Sequence, residues 1–592
     1  MRENDFRLNL CVFNCGRIAL RLTYVKNVVA TGELSRDVVP EPRDRMSRRR
    51  GPGLPMSATD DPVTQARLVA ALADPAVFGP ACERVRHLET HISHVLLTGA
   101  FAYKIKKPVD LGFLDFSALA QRKLYCEQEL RLNRRLAPAI YLDVVAITGS
   151  IDRPALGGAG LVVEYAVKMR EFEQDALASR MLAAGALGAA HVDALAAEVA
   201  AFHGRVETAS EGTPFGSPET ILRVALQNFD SIRPLRGDPG DRDRQDALRA
   251  WTEREHALRR ATFERRKADG FVREGHGDLH LNNIAVIDGE VTVFDCIEFN
   301  DELRWIDVMS EIAFTTMDLA DRGRPDLAHR FVNAYLENTG DYAGLAVFPF
   351  YLVYRAMVRA KIACLRVGQL EPGDERTALV AEYRGYVDLA THYARAPHPA
   401  LLITHGLSGC GKTTLTQGLL EWIGAIRIRT DVERKRLHGL EARARSGSGL
   451  DEGLYAAGAT ERTYGRALEL AEAVAAAGGV AIVDGTFLKR WQRDLFRTRA
   501  AELEFPFVIL AFTASDATLR ARVVERAQRA TDASEADLGV LDRQLRTREP
   551  LAPDERAYVV DVDAETPQER SRDPATWRAV CARLGIEGTP PP

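Results

Sequence analysis

Apolar and polar positions change rhythm several times along the chain, and each rhythm predicts an element. "HVLLTGAFAYKIKKPV" (94–109) alternates with period two, as half-buried strands do. "QRKLYCEQELRLNRRLAP" (121–138) spaces Leu124, Leu130 and Leu136 among charges at helical intervals and stops near Pro138. "GLVVEYAVKM" (160–169) is a short apolar run that predicts a buried strand. Ala- and Leu-rich helical patterns follow around 176–206 and 243–268, then the polar patch "FVREGHGDLHLNNIAVIDGEVTVFDCIEFND" (271–301), then helical patterns from about 304 to 395. "ARAPHPA" (394–400) reads as a linker. From Leu401 onward strands and helices alternate in the manner of a parallel α/β sheet. No internal repeat is evident.

These rhythms divide the chain into an α+β unit over 56–395 and an α/β unit over 396–592. Residues 1–55 differ from both: they end in "EPRDRMSRRRGPGLPMSATDDP" and show no sustained periodicity. Two readings fit them, a basic arm without fixed structure and a segment upstream of a true start at Met56 or Met46. Composition agrees with the division. A chain of 592 residues is too long for one core. Its 46% hydrophobic and 27% charged residues are ordinary for a globular protein, and a net charge of -5 gives no bulk attraction for nucleic acid. The eight cysteines are scattered. Cys11 and Cys15 form the only close pair and no second pair or histidine cluster completes a zinc set, so free thiols in a reducing cytosol are expected. Without an apolar run of about 20 residues or a signal peptide's order of segments, the expectation is a cytoplasmic protein with no membrane partner.

Two constellations carry chemistry. In "HGDLHLNN", Asp278 precedes Asn283 by five residues, and Asp295 follows the apolar stretch "VTVF". Phosphoryl transfer needs a carboxylate beside the attacking hydroxyl and oxygen ligands for Mg²⁺. Asp278 suits the first role; Asn283 and Asp295 suit the second. In the other constellation, "GLSGCGKT" matches G-x-x-x-x-G-K-[ST] in full, between an apolar run and a helical pattern. The backbone of Gly406, Ser408, Gly409, Cys410, Gly411 and the helix start at Lys412, Thr413 and Thr414 can cradle ATP phosphates. Lys412 can reach the β- and γ-phosphates, and Thr413 can ligate Mg²⁺. Cys410 reads as a small filler. "AIRIRTDVERKRL" then sets Asp431 as a candidate base and Arg434 as an acceptor-orienting group; a helix N-cap at Thr430 or Asp431 competes with that reading. "GGVAIVDGTF" ends in Asp484, a second Mg²⁺ acid. Arg520, Arg522, Arg526 and Arg529 share a helical stretch, read either as a phosphate lid led by Arg522 and Arg526 or as a solvated face.

"HGDLHLNN…VFDCIEF" resembles the aminoglycoside phosphotransferase-like family of small-molecule kinases, with a two-lobed, protein-kinase-like fold. The resemblance implies a phosphate-binding lysine in "AYKIKK", Lys104 ahead of Lys106, and a partner glutamate on the next helix, Glu129 ahead of Glu127. It also implies a nucleotide hinge at Glu164 to Ala166 in "VVEYAV", meeting adenine through backbone groups. Glu298 and Asp307 fall to structural support. No G-x-G-x-x-G precedes the lysine strand; "THISHVLLTG" stands there, so the phosphates must be covered differently. The second half resembles the zeta-toxin, gluconate-kinase and polynucleotide-kinase group of P-loop kinases. Together the halves resemble bacterial fusions of a phosphotransferase-like domain with an ATP-binding domain. The implied function is ATP- and Mg²⁺-dependent phosphorylation of a small-molecule hydroxyl at both sites. Two alternatives stay open: a P-loop half that hydrolyses ATP to regulate the first half, and a kinase of nucleic-acid 5′-hydroxyl ends, suggested by Asp431 and Arg434.

Overall fold

The alternating stretch that begins at His94 supplies two strands of a six-stranded antiparallel sheet. Its members are β1 (Arg86–Glu89), β2 (Ser93–Leu97), β3 (Phe101–Lys106), β4 (Tyr141–Ser150), β5 (Arg153–Leu156) and β6 (Val162–Arg170), in the order β1-β2-β3-β6-β4-β5. The computed structural model describes residues 57–110, 114–232, 239–395, 398–442, 444, 457–529 and 533–586. The N-terminal extension over 1–55, both candidate start methionines and the Cys11/Cys15 pair lie outside them. In β3, successive side chains face opposite ways. Tyr103 and Ile105 pack with Leu68 of the helix Pro62–Ala71, while Lys104 and Lys106 reach Glu129 on the helix Leu119–Asn133.

That helix is where the sequence predicts one, but its buried face is not the predicted one. Leu124 is 45% exposed. Arg122, Cys126, Glu129, Leu132 and Asn133 are buried instead. Ion pairs to the sheet choose this face, and they outweigh the apolar content of Leu124.

The remainder of the first unit is mostly helical. Helices Ala189–Arg205, Pro325–Thr339 and Phe348–Val367 surround Val308–Asp321, in which every residue from Val308 to Ala320 is buried. Its buried polar residues are paired, Glu311 with His203 and Thr315 with Leu279 O, as a helix enclosed on all sides requires. The polar patch is framed by two short antiparallel pairs, β7 (Val272–Glu274) with β10 (Trp305–Asp307) and β8 (Ile284–Ile287) with β9 (Glu290–Val293). The predicted helical stretch from 304 therefore opens with a strand.

The second unit is a five-stranded parallel sheet, as the alternation predicts: β11 (Ala400–His405), β12 (Ile426–Arg429), β13 (Val480–Asp484), β14 (Phe507–Thr513) and β15 (Val559–Asp563), ordered β12-β13-β11-β14-β15. One apolar core runs from the helical lobe into this sheet, joining Phe331 and Leu336 to Ile426, Ile428 and Tyr464. Polar contacts reinforce the join. Asn333 donates to Ala425 O at 2.9 Å and accepts from Arg427 N at 2.8 Å, and Arg330 pairs with Glu421 at 2.7 Å. Among the described residues no helix is long and apolar enough to cross a membrane.

Candidate active sites

In the first unit, β3 and the polar patch bring charges together under the sheet. Lys104 Nζ lies 2.8 Å from Glu129 Oε1 and 2.8 Å from Asp295 Oδ1. Burial works against its charge, but Asp295 and Glu129 outweigh burial and hold the ammonium well above its ordinary range. Lys106 lies deeper, with Nζ 2.6 Å from Glu129 Oε2 and bonded to Glu298. One glutamate thus serves both lysines, and only Lys104 touches Asp295. Glu127 pairs with Lys123 on the surface. Asp295 has a left-handed backbone, φ 63°, and its N–H donates to Tyr141 Oη at 3.2 Å.

The Asp278 loop is held from three sides. Asn283 Nδ2 donates to Asp278 O and Oδ2 at 3.0 Å each. His276 Nε2 donates to Phe294 O at 2.8 Å, tying this loop to the turn that carries Asp295, and its Nδ1 accepts from Asp278 N at 3.3 Å. Burial lowers the His276 pKa, which suits the neutral ring those two bonds require. Glu311 Oε1 accepts the N–H groups of His276 and Gly277 at 2.6 and 2.7 Å, and its Oε2 meets His203 Nε2 at 2.8 Å. Burial alone would raise Glu311, but the hydrogen bond from His203, the field of His203 and the Gly277 amide bring it down to about 2. Sequence reasoning missed Glu311 and His203. The available signal was an acid inside the apolar stretch "VMSEIAF". Asp307 and Glu298 act as supports: Asp307 binds Arg266 through both oxygens and caps the following helix.

The hinge expected at Glu164 and Ala166 is not there. β6 continues to Arg170, and both residues lie inside the sheet: Ala166 faces Ile105 of β3 on one edge and Val145 of β4 on the other, and Glu164 faces Ile147. Their backbone groups are used in the ladders. The Glu164 carboxylate is buried against Arg122 and Gln65. The chain leaves the sheet at Arg170, and Phe172, just beyond, packs edge-on against Phe294 with ring centroids 5.4 Å apart.

In the second unit, β11 enters the glycine loop and the loop enters the helix Lys412–Ile423. Gly409 has φ 85°, and a Cβ there would lie 2.8 Å from Leu519 O, so the position admits little but glycine. A cavity of about 1100 Å³ opens over the loop, lined among others by Ser408, Gly409, Gly411, Lys412, Thr413, Thr414, Asp431, Arg434, Asp484, Arg522 and Arg526. Thr413 Oγ1 donates to Asp484 Oδ2 at 2.5 Å, which sets two hard oxygen donors side by side at the cavity wall. Lys412 Nζ rests on Gly406 O and Leu407 O at 3.0 and 2.9 Å. Arg522 Nη1 donates to Ala564 O and Arg526 Nη2 to Ala536 O, at 2.9 and 2.7 Å. Arg520 pairs with Asp516 and Asp542, and the Arg529 side chain lies outside the described residues.

Two expectations change here, and one contact is new. Gly406 and Cys410 do not line the cavity. Gly406 N bonds Thr486 O and Cys410 N bonds Leu407 O, and the Cys410 side chain is buried in the sheet's core as a filler. Neither Thr430 nor Asp431 caps a helix: the helix Thr430–Arg436 has Arg429 at its N-cap position and no side-chain cap, and Thr430 Oγ1 donates to Asp484 O. Gln544 was not anticipated, and its Oε1 accepts the Ser408 N–H at 2.8 Å.

Two family models match successive parts of the chain. The family model of the phosphotransferase enzyme family matches residues 113–348, and an AAA domain model matches 401–551. The uncharacterized protein Rv2004c of Mycobacterium tuberculosis is 32% identical over 452 residues, covering 75% of this chain and 87% of that protein, and Mb2027c of Mycobacterium bovis matches equally. Among solved structures, a choline/ethanolamine kinase family protein from Mesorhizobium loti matches at 11% identity and TM-score 0.35, over 57% of this chain and 96% of its own. A gluconokinase from Sinorhizobium meliloti matches at 21% identity and TM-score 0.23, over 32% of this chain and 94% of its own.

Proposed function

Because the chain belongs to the family in which a phosphotransferase enzyme domain precedes an AAA-type P-loop domain, we propose that it is a bifunctional ATP-dependent phosphotransferase. Each domain passes the γ-phosphate of ATP to a hydroxyl of a small molecule. The observation that carries this reading is Lys104, whose ammonium is shared at 2.8 Å between Glu129 and Asp295 while His276 ties the Asp295 turn to the Asp278 loop. In the first site Asp278 takes the hydroxyl's proton as the oxygen attacks, and Asn283 keeps that carboxylate aimed. Lys104 binds phosphate oxygens. The backbone beyond Arg170, beside Phe172, takes the adenine. In the second site Lys412, Arg522 and Arg526 bind the phosphates, Asp431 takes the proton and Arg434 orients the acceptor. Asn283 with Asp295, and Thr413 with Asp484, are oxygen donors of the kind Mg²⁺ takes. The metal would neutralise charge on the phosphates.

The test is transfer of labelled γ-phosphate from ATP into a metabolite extract, with Asp278→Ala, Lys412→Ala and the double variant run in parallel. Each single variant should lose one set of labelled products, and the double variant all of them. Full labelling by the double variant would overturn the reading.

One observation favours a second reading, in which the P-loop domain hydrolyses ATP to regulate the first domain. Arg427 Nη1 donates to Thr413 O at 2.8 Å, and the same residue's N–H donates to Asn333 of the helical lobe. The cavity wall is therefore wired to the other domain. With Asp431→Asn, a regulator keeps acceptor-independent ADP release, whereas a kinase using Asp431 loses acceptor-dependent turnover.

A further inference from the structure

The outer face of β1 and β2 carries a cluster that neither proposed site uses. Val95 lies opposite Lys104 and shares its face; His94, one residue earlier, points the other way. Glu89 lies opposite His94, and His87 opposite Leu96, so His87, Glu89 and His94 share the face turned away from Lys104. His87 Nε2 and His94 Nδ1 are 3.0 Å apart. One ligand atom from each of His87, Glu89 and His94 lies within 4.8 Å of the other two. Lys107 Nζ holds Glu89 Oε1 at 2.6 Å and steadies the carboxylate on that face.

We propose that His87, His94 and Glu89 form a binding site for a Zn²⁺-class transition metal, with water completing a four-coordinate shell. Two ring nitrogens on one tetrahedral Zn²⁺, each at 2.0–2.1 Å, stand about 3.3 Å apart, close to the spacing already present. The donor set is selective. Imidazole nitrogen suits Zn²⁺, Cu²⁺ and Ni²⁺, whereas Mg²⁺ takes oxygen ligands. His94 is buried, so its ring is held in place on the sheet. His87 and Glu89 are exposed, which leaves an entry path. Binding requires the proton shared between Nε2 and Nδ1 to move to the other nitrogen of its ring, with no redox change. The ion would cross-link β1 to β2 at the base of the Thr90–Ile92 turn, the connection that stands where a glycine-rich loop is missing.

The experiment is calorimetric titration of the full chain, stripped with chelator, with Zn²⁺ in excess Mg²⁺. One equivalent should bind. Loss of a metal ligand's supporting hydrogen bond alone costs about 10- to 100-fold in affinity, so His87→Ala and His94→Ala should each weaken binding at least about tenfold. The double variant should lose the equivalent, and Glu89→Gln should weaken it. His87 is exposed, so His87→Ala keeps the test independent of folding. An Asp295→Asn/Asp484→Asn variant should retain the equivalent, which separates this site from the two proposed phosphotransfer sites. Zn²⁺ binding unchanged in the double histidine variant, or lost in the double aspartate variant, would refute the proposal.

Discussion

Lys104 and Lys106 sit on one face of β3 and share Glu129, yet their surroundings predict opposite phenotypes. The Lys106 side chain is 0% exposed, and its partners Glu129 and Glu298 are 0% and 5% exposed. Lys106→Met keeps the volume but strands Glu298 and halves the support of Glu129. Breaking a buried pair by removing one partner costs about 3–5 kcal/mol. Lys104→Met is milder. Either change leaves Glu129 with one ammonium partner, so the difference lies in the other acid: the Asp295 carboxylate is 15% exposed, and losing that partly solvated charged contact costs about 1.5–3 kcal/mol. Lys106→Met should therefore lower the urea midpoint of the first unit by the larger margin at unchanged slope. Lys104→Met should leave the fold largely intact and abolish phosphate transfer from the first site. Circular dichroism through a urea series gives the stabilities. Labelled-ATP transfer in a Lys412→Ala background isolates the first site. Equal destabilisation by the two variants would refute the argument, as would a folded Lys106→Met protein that loses transfer while Lys104→Met retains it.

Three further outcomes follow from particular contacts. Glu311 titrates in the fold at about 2 against an ordinary 4.5, so the stability it lends is whole above pH 4.5 and is lost as pH falls toward 2, roughly 3 kcal/mol in all; Glu311→Gln should flatten the acid limb of stability, and an unchanged limb would count against the pairing. Gly418→Ala places a Cβ 2.0 Å from Ser571 O, a backbone clash that should cost about 1–3 kcal/mol and lower the melting point of the second unit; wild-type melting would show that the helix Lys412–Ile423 is free to shift. Arg266 binds Asp307 and Asp341 through both oxygens of each, with all three side chains at most 4% exposed; Arg266→Met should cost at least about 3 kcal/mol, and a loss under about 1 kcal/mol in urea melts would mean the cluster is better solvated than its burial indicates.

What the sequence made legible was whatever a short contiguous stretch encodes. The glycine loop folds on itself, so its residues arrive together and in order; Asp278 and Asn283, five apart, likewise sit in one loop. The family resemblance ranks Glu129 over Glu127, and it is Glu129 that meets Lys104 and Lys106 while Glu127 pairs with Lys123. Where a distant partner decides, the linear pattern misled. The apolar run at 160–169 announced a strand that ends at Arg170, but the hinge was placed inside it, at Glu164 to Ala166, where the chain is still paired in the sheet. Leu124 looked like a core position because apolar content usually selects the buried face, but in that helix Arg122 and Glu129 have buried carboxylate and ammonium partners and Leu124 has none. The same rule explains "IRIR" at 426–429. Alternation in an edge strand predicts arginines turned to water. Here Arg427 reaches Thr413 O, and Arg429 pairs with Glu337 at 3.0 Å. A lone P-loop domain would leave Arg429 without Glu337 and the Arg427 N–H without Asn333. Those contacts with the helical lobe make the second site's wall part of an interdomain surface, so an Asn333→Ala change in the first unit should weaken nucleotide binding in the second.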